Sequence, residues 1–273
     1  MNTSYSIEPI GIFRCGEQYR YETPRQGVFA ENEGVIELAP GHCFEQAAAD
    51  LNGFSRIWIL FLFHLNETWN VQVRPPVAPD KRKIGVFATR SPHRPNRIGM
   101  SCVELISVEG LQVRVKNFDL LDRTPVIDIK PYIPRADAFP DAETGWLAAA
   151  VSDGYEVTFT PEMQVQAANL LACGGPDLQR FCRVQLVHAP LNRERKRLYA
   201  CEDGSWEIGF RTWRIRFSAA EAAKKVRVLG IRSHYLPEEL APGTADPYQD
   251  KDLHRAWQLV MGGRADFGTN CKC

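Results

Sequence analysis

Arg90, Arg94 and Arg97 fall within eight residues in the stretch Phe87-Ala-Thr-Arg-Ser-Pro-His-Arg-Pro-Asn-Arg-Ile-Gly-Met-Ser101, with His93 and Asn96 between them. Arginine offers a planar fork of donors to a carboxylate or phosphate, so this is an anion-binding arrangement. Pro92 and Pro95 cut off helical continuation and stiffen the loop, which gives the guanidinium groups a defined scaffold. From Arg74 to Arg97 the chain carries seven cations against Asp80 alone, a balance of plus six. A solvated basic loop is the ordinary meaning of such a run; the Ser-Pro-His-Arg-Pro-Asn pattern between strand-like segments favours a ligand loop.

Three further segments belong at strand ends. Thr23-Pro24-Arg25-Gln26-Gly27 is a turn carrying a two-pronged donor. His64 terminates the apolar run Ile57-Trp-Ile-Leu-Phe-Leu-Phe63 and is followed by Asn66 and Glu67, which places its imidazole at a rim. A lone histidine is more often structural than functional, and only that position raises its standing. Asp119-Leu-Leu-Asp-Arg-Thr-Pro-Val-Ile-Asp supplies Asp119, Asp122 and Asp128, although Asp122-Arg-Thr-Pro by itself is an ordinary turn.

Several chemistries are excluded. The sequence has no Gly-x-Gly, hence no Gly-rich Rossmann phosphate loop, and neither a P-loop nor a Gly-x-Ser-x-Gly nucleophile elbow. Histidine and cysteine spacings match no standard zinc site. The eight cysteines form no Cys-x-x-Cys pair and are scattered through a chain with ample core, so reduced thiols are expected; the terminal Cys271-Lys-Cys273 could bind metal or pair with another thiol, but a frayed end is the better reading. The first ten residues lack a basic and apolar leader, and no apolar run approaches the roughly 18 residues of a membrane span. The expected location is cytoplasmic, with no membrane partner.

The elements that must hold these residues are mostly strands. Over 1–134, short alternating segments such as Leu111-Gln-Val-Arg-Val-Lys and Ile127-Asp-Ile-Lys are separated by Gly, Pro, Asn and Asp turns. The continuous run 57–63 reads as a strand buried on both faces. One helix is expected near Cys43–Leu51. Many strands and few helices imply a sheet closed or nearly closed into a barrel. Residues 135–153 dilute the pattern and mark a boundary. Thr160-Pro161 is a helix start for Met163–Leu171, stopped by Gly174-Gly175. Trp206, Ile208, Phe210 and then Trp213, Ile215, Phe217 alternate with a phase slip at Arg211-Thr212, a bulge or turn between strands, and both tryptophans read as core. The fold class is therefore mainly β: a barrel over 1–150, a smaller α+β unit over 151–236, and an irregular, loosely packed tail over 237–273 with a short helical pattern near Leu253–Val260.

With 44% apolar residues and 33 basic against 33 acidic side chains, the chain has the composition of a folded protein with no net charge. Neutrality in the sum hides basic clusters in the parts: the plus-six segment, and Arg193-Glu-Arg-Lys-Arg197 with Arg211, Arg214 and Arg216. Such rails beside aromatic residues suit a nucleic acid.

Pro24-Arg25-Gln26, the run Gly53-Phe-Ser-Arg-Ile-Trp-Ile-Leu-Phe-Leu-Phe-His64, the 87–101 loop and Asp119-Leu-Leu-Asp-Arg-Thr-Pro-Val-Ile-Asp-Ile-Lys-Pro-Tyr132 together resemble the TsaA-like β-barrel domain of the TrmO family of tRNA (adenine-N6)-methyltransferases. The resemblance covers about the first half of the chain. It implies a homodimer that uses S-adenosyl-L-methionine to methylate N6-threonylcarbamoyladenosine just 3′ of the anticodon, in the tRNA anticodon loop. It places Pro24, Arg25, Gln26, His64, Leu65, Arg90, Met100, Asp122, Arg123, Thr124 and Pro125 around the cofactor. Arg97 and Arg123 stand where the family has Pro and Gly. On chemistry, Arg25 or Arg90 suits the cofactor carboxylate, Asp122 a ribose hydroxyl or the amino group, and Met100 the adenine or the neighbourhood of the sulfonium. His64 and Asp122 are the candidate bases. Arg94, Arg97, Arg195 and Lys196 are candidate RNA contacts. Two rivals stay open: a non-catalytic RNA-binding barrel, and a barrel that binds a small anion.

Overall fold

Six segments with alternating burial wind into a closed antiparallel barrel. The computed structural model describes residues 5–23, 27, 31–78, 82–149, 154–193, 196–261 and, as backbone, 271–272. The barrel strands are β1 (Gly11–Arg14), β2 (Glu33–Leu38), β3 (Arg56–Leu62), β6 (Ile98–Glu109), β7 (Gln112–Lys116) and β8 (Pro125–Pro131), closed in the order β1-β2-β7-β6-β3-β8. Between β3 and β6 a two-stranded ribbon, β4 (Gln72–Val73) and β5 (Ile84–Gly85), carries the basic segment, and short helices α1 (Phe44–Ala47) and α2 (Pro134–Asp137) flank the strands. The first compact unit is Met1–Ser152 and the second Asp153–Cys273.

Period-two alternation sends one side of every barrel strand inward. Phe13, Ile36, Ile57, Ile59, Val103, Val113, Val115 and Val126 fill the interior with no exposed surface. The run at 57–63 is a strand, as expected, but buried on one face only: Ile57, Ile59 and Phe61 point in, while Trp58, Leu60 and Leu62 are half-buried outside. A barrel has a single inside, so a continuous apolar run leaves its alternate residues for other cover. Trp58 finds it in the Tyr132 ring at 5.8 Å and donates its indole N–H to Asp137 at 3.2 Å.

In the second unit a six-stranded sheet has the order β14-β10-β11-β12-β13-β9. Its strands are β9 (Glu156–Phe159), β10 (Leu198–Cys201), β11 (Trp206–Phe210), β12 (Trp213–Ala220), β13 (Lys225–Ser233) and β14 (Cys271–Lys272). Helix α3 (Pro161–Ala172) starts where the sequence places it: Pro161 occupies its first turn and the Thr160 hydroxyl accepts the Met163 N–H at 3.1 Å. Helix α4 is Leu178–Leu186. The phase slip at Arg211-Thr212 is the turn between β11 and β12, with Arg211 at φ 48°. Trp213 is core, whereas Trp206 is half-buried under the Arg193 guanidinium at 4.8 Å.

Residues 237–261 are more tightly built than a loose tail. Helix α5 (Lys251–Met261) buries His254 and Trp257 completely, and the Trp257 indole donates to the Gln166 carbonyl at 3.0 Å. The chain end also differs from expectation: Cys271 and Lys272 pair with Cys201 and Ala200 as the last strand of the sheet. Reduced thiols are found at Cys15, Cys43, Cys102, Cys173 and Cys182, but Cys201 is disulfide-bonded. A two-residue strand has no periodicity to read, and its partner lies in a distant segment. Among the described residues no helix is long and apolar enough to cross a membrane.

Candidate active site

The segment between β7 and β8 is clamped from both sides. Asn32 is buried and accepts the Phe118 N–H at 3.0 Å while donating its amide to the Phe118 carbonyl at 3.2 Å. Asp122 donates its backbone N–H to the Glu17 carbonyl at 2.8 Å and accepts the Cys15 N–H on its side chain at 3.2 Å. Phe118 and Leu120 turn into the core, so Asp119 between them faces the other way. There the Ser101 hydroxyl, on β6, donates to the Asp119 carboxylate.

Two chambers open beside this loop. The larger, of about 430 Å³, is lined by Arg90 and Arg94 from the basic loop, by Met100, Ser101 and Cys102 from β6, and by Trp58 and Gly27. The smaller, of about 190 Å³, is lined by Arg20, His64, Leu65, Asn66 and Thr124. Phe61, Phe63, Pro92 and Asp119 line both. Glycine is required at Gly27, where a Cβ would strike the Asn117 carbonyl, and at Gly99, where it would strike the Phe61 ring.

Charge is unevenly tuned across the pair. Burial pushes the Asp119 carboxyl above the ordinary aspartate range, against the opposing pull of the Ser101 hydrogen bond and the Arg90 charge. Burial, helped by Arg20, holds the His64 imidazole below its ordinary range. Arg94 serves the loop itself: its guanidinium donates to the Thr89 carbonyl at 2.7 Å. Arg97 donates to the Asn66 carbonyl at 2.9 Å and ties the basic loop to the His64 loop.

The structure thus gathers His64, Leu65 and Thr124 at one chamber and Arg90, Arg94 and Met100 at the other. Asp122, Arg123 and Pro125 line neither. Asp122 serves the turn, the Arg123 side chain is 80% exposed, and Pro125 opens β8 opposite Ile12. Pro24, Arg25, Gln26 and Arg195 lie outside the described residues. Lys196 donates its ammonium to the carbonyls of His188 and Ala189, both at 2.7 Å. Sequence reasoning gave no role to Ser101, Phe61, Phe63 or Asp119. The signal for Asp119 was present, an acidic residue between two apolar ones where Asp122 has Leu121 and Arg123 beside it, but its partner Ser101 lies on a distant strand.

Two of the left-handed positions lie in the loops beside this site. Arg97 has φ 53° and Arg123 has φ 62°, so proline at the first requires a different local backbone and glycine is the unstrained choice at the second.

A family model described as the tRNA-methyltransferase O N-terminal domain matches residues 13–138. A tRNA (adenine(37)-N6)-methyltransferase of Escherichia coli K12 is 37% identical over 201 residues, which cover 71% of this chain and 85% of that protein. A Pseudomonas aeruginosa protein named as an S-adenosylmethionine-dependent methyltransferase is 41% identical over 167 residues, or 60% of this chain and 72% of that one. The crystal structure of TrmO from Pseudomonas aeruginosa superposes with a TM-score of 0.64 at 29% identity, covering 85% of this chain and 100% of that chain. A second TrmO crystal structure gives 0.63 at 30% identity. With a barrel of this topology and relatives matched over most of both lengths, the chain belongs to the tRNA-methyltransferase O family.

Proposed function

We propose that this protein transfers a methyl group from S-adenosylmethionine to N6 of N6-threonylcarbamoyladenosine, 3′ of the anticodon of a tRNA. It acts as a cytoplasmic homodimer in which the first unit performs the transfer and the second contacts tRNA. The observation that carries the reading is the pair of chambers sharing one wall of Phe61, Phe63, Pro92 and Asp119. Methyl transfer is an in-line displacement that needs donor and acceptor side by side, and little else from the protein.

The residues present fit the cofactor. The larger chamber has the size of a ligand cleft and combines a guanidinium for a carboxylate (Arg90) with a thioether and aromatic rings for a purine (Met100, Phe61, Phe63). Thr124 adds a hydroxyl at the smaller chamber. When bound, S-adenosylmethionine supplies an electrophilic methyl group. The chain's own part is to bind and orient both partners, to exclude water with Phe61 and Phe63, and to take up the acceptor proton. Arg94 and Arg97 hold the shape of the loop offered to the RNA, and with Arg195 and Lys196 they make its attraction electrostatic.

The deciding experiment is labelled-methyl transfer to tRNA with and without the threonylcarbamoyl group, alongside calorimetric titration with S-adenosylmethionine. Incorporation only into the modified tRNA is the expected result. Cofactor binding without incorporation into either RNA overturns the reading, and RNA binding without cofactor binding leaves a non-catalytic barrel.

A further inference from the structure

Among the described residues, one ionisable side chain is common to the linings of both chambers, and it is Asp119. The two candidate bases from the sequence are less well placed. Asp122 accepts the Cys15 amide and lines neither chamber. His64 lines the smaller chamber alone, and burial weakens its imidazole as a proton acceptor. Asp119 is fixed in orientation from two directions: Phe118 and Leu120 anchor its backbone in the core, and the Ser101 hydroxyl, 8% exposed on the neighbouring strand, holds its carboxylate.

We propose that Asp119 is the general base that takes the N6 proton of the acceptor adenosine, and that Ser101 is its positioning residue. The inference rests on the methyl-transfer reading above. A carbamoyl group on N6 delocalises the nitrogen lone pair and makes the N–H more acidic, so the nitrogen becomes a nucleophile as its proton leaves. N6 gains the methyl while its proton passes to the Asp119 carboxylate, and the broken C–S bond leaves its electron pair on sulfur. The carboxyl group ends neutral and returns its proton to water.

Ser101 from β6 bonds this carboxylate and Arg90 acts on it by charge; the other titratable or charged groups lining the chambers with it are Arg94 and Cys102 at the larger and Arg20 and His64 at the smaller. Ser101 and Arg90 favour the charged form while burial opposes it, and burial is the larger effect. A carboxylate raised in this way is a better base near neutral pH than an exposed one.

The test uses the full chain with threonylcarbamoylated tRNA. Asp119→Asn keeps the shape and can still accept from Ser101. Its single-turnover rate is expected to fall about 100-fold or more, with S-adenosylmethionine affinity by calorimetry within about threefold of wild type. The wild-type rate should rise with pH as one group ionises above the ordinary aspartate range, a rise that Asp119→Asn lacks. Ser101→Ala should shift that rise to higher pH, because it removes a bond that favours the charged form. In carbon-13 aspartate spectra of the free protein, the resonance missing from Asp119→Asn should titrate above the ordinary range. An active wild type whose Asp119→Asn variant keeps its rate, or loses cofactor affinity in proportion to rate, overturns this inference alone. A wild type inactive on the modified tRNA overturns the substrate reading and this inference with it.

Discussion

Arg232 and Glu207 form a two-point ion pair across the intervening strand β12, with Nε to Oε1 and Nη2 to Oε2 both at 2.7 Å and Glu207 only 2% exposed. Arg214 and Arg216 lie on the strand between them. Burial holds the Arg214 guanidinium below its ordinary range, and it donates to the carbonyls of Arg211 and Trp213. Glu207 is therefore the buried counter-charge of an arginine-rich sheet face. Glu207→Gln should cost about 3 kcal/mol in urea unfolding, because it leaves Arg232 uncompensated. The double variant Glu207→Met with Arg232→Met should recover most of that loss. A single variant as stable as wild type would refute the pairing argument.

Arg123 stores backbone strain that glycine lacks, since φ 62° costs a residue with a Cβ about 1 kcal/mol. Arg123→Gly should leave stability unchanged or raise it by less than about 1 kcal/mol, the gain being reduced by the greater freedom of glycine in the unfolded chain. Arg123→Val should lower stability by about 1–2 kcal/mol, because a β-branched residue tolerates this region least. Arg97→Pro should force the basic loop into another conformation and lower the melting temperature: proline fixes φ near −65° where the chain has 53°, and it removes the N–H that donates to the Arg94 carbonyl. Thermal melts of the three variants rank these effects.

His254 makes the second unit acid-sensitive. It is fully buried, stacked on Trp213 at 3.7 Å, with Nε2 2.9 Å from the Thr212 hydroxyl, which itself donates to Asp250 at 2.5 Å. Burial lowers its pKa from 6.5 to about 4, against the attraction of Asp250 and Asp246. Above pH 6.5 the imidazole is neutral whether folded or not. As pH falls from there toward 4 the unfolded chain binds a proton that the folded chain refuses, so about 3 kcal/mol of stability is lost across that window. Urea midpoints at steps between pH 7 and pH 4 should show the slope in wild type and a flatter line in His254→Gln.

Gly99 sets the width of the shared wall. Its Cβ would enter the Phe61 ring, which is 4% exposed and has no room to retreat inward. Gly99→Ala should cost about 1–3 kcal/mol and push that ring toward the chambers. Calorimetric titration is expected to show S-adenosylmethionine affinity reduced tenfold or more. Unchanged affinity would mean that Phe61 does not bound the cofactor site.

The barrel was legible in the sequence because its strands alternate: Val113 and Val115 face inward and their polar neighbours outward, as the pattern requires. The α3 start was legible for a chemical reason, a hydroxyl cap followed by proline. What escaped depends on partners far along the chain. The outward residues of β3 look like the inward ones, and only closure with β6 and β8 decides which are covered. His254, Trp257 and Met261 share one face of α5, but the Pro- and Gly-rich stretch before it outweighed that short pattern. Asp119 and Asp122 sit three residues apart in one motif, and it is the reach of Ser101 from another strand that separates them.

The barrel is fastened beside its own pocket. β1 meets β8 at only two paired positions, Gly11 with Val126 and Ile12 with Pro125, extended by Phe13 N–H to the Thr124 carbonyl at 2.9 Å and Arg123 N–H to the Phe13 carbonyl at 2.8 Å. The adjoining Cys15 to Asp122 bond joins residues 107 apart in the chain. Contacts of such separation form late in folding, and a ladder this short is among the first to open. Thr124, in the same seam, lines the smaller chamber. A ligand that grips it acts as a clasp, and at a hundredfold excess over its Kd adds about 2.7 kcal/mol to the closed barrel. Hydrogen exchange at the Phe13 and Arg123 amides thereby becomes a gauge of occupancy that needs neither a methyl group nor an RNA.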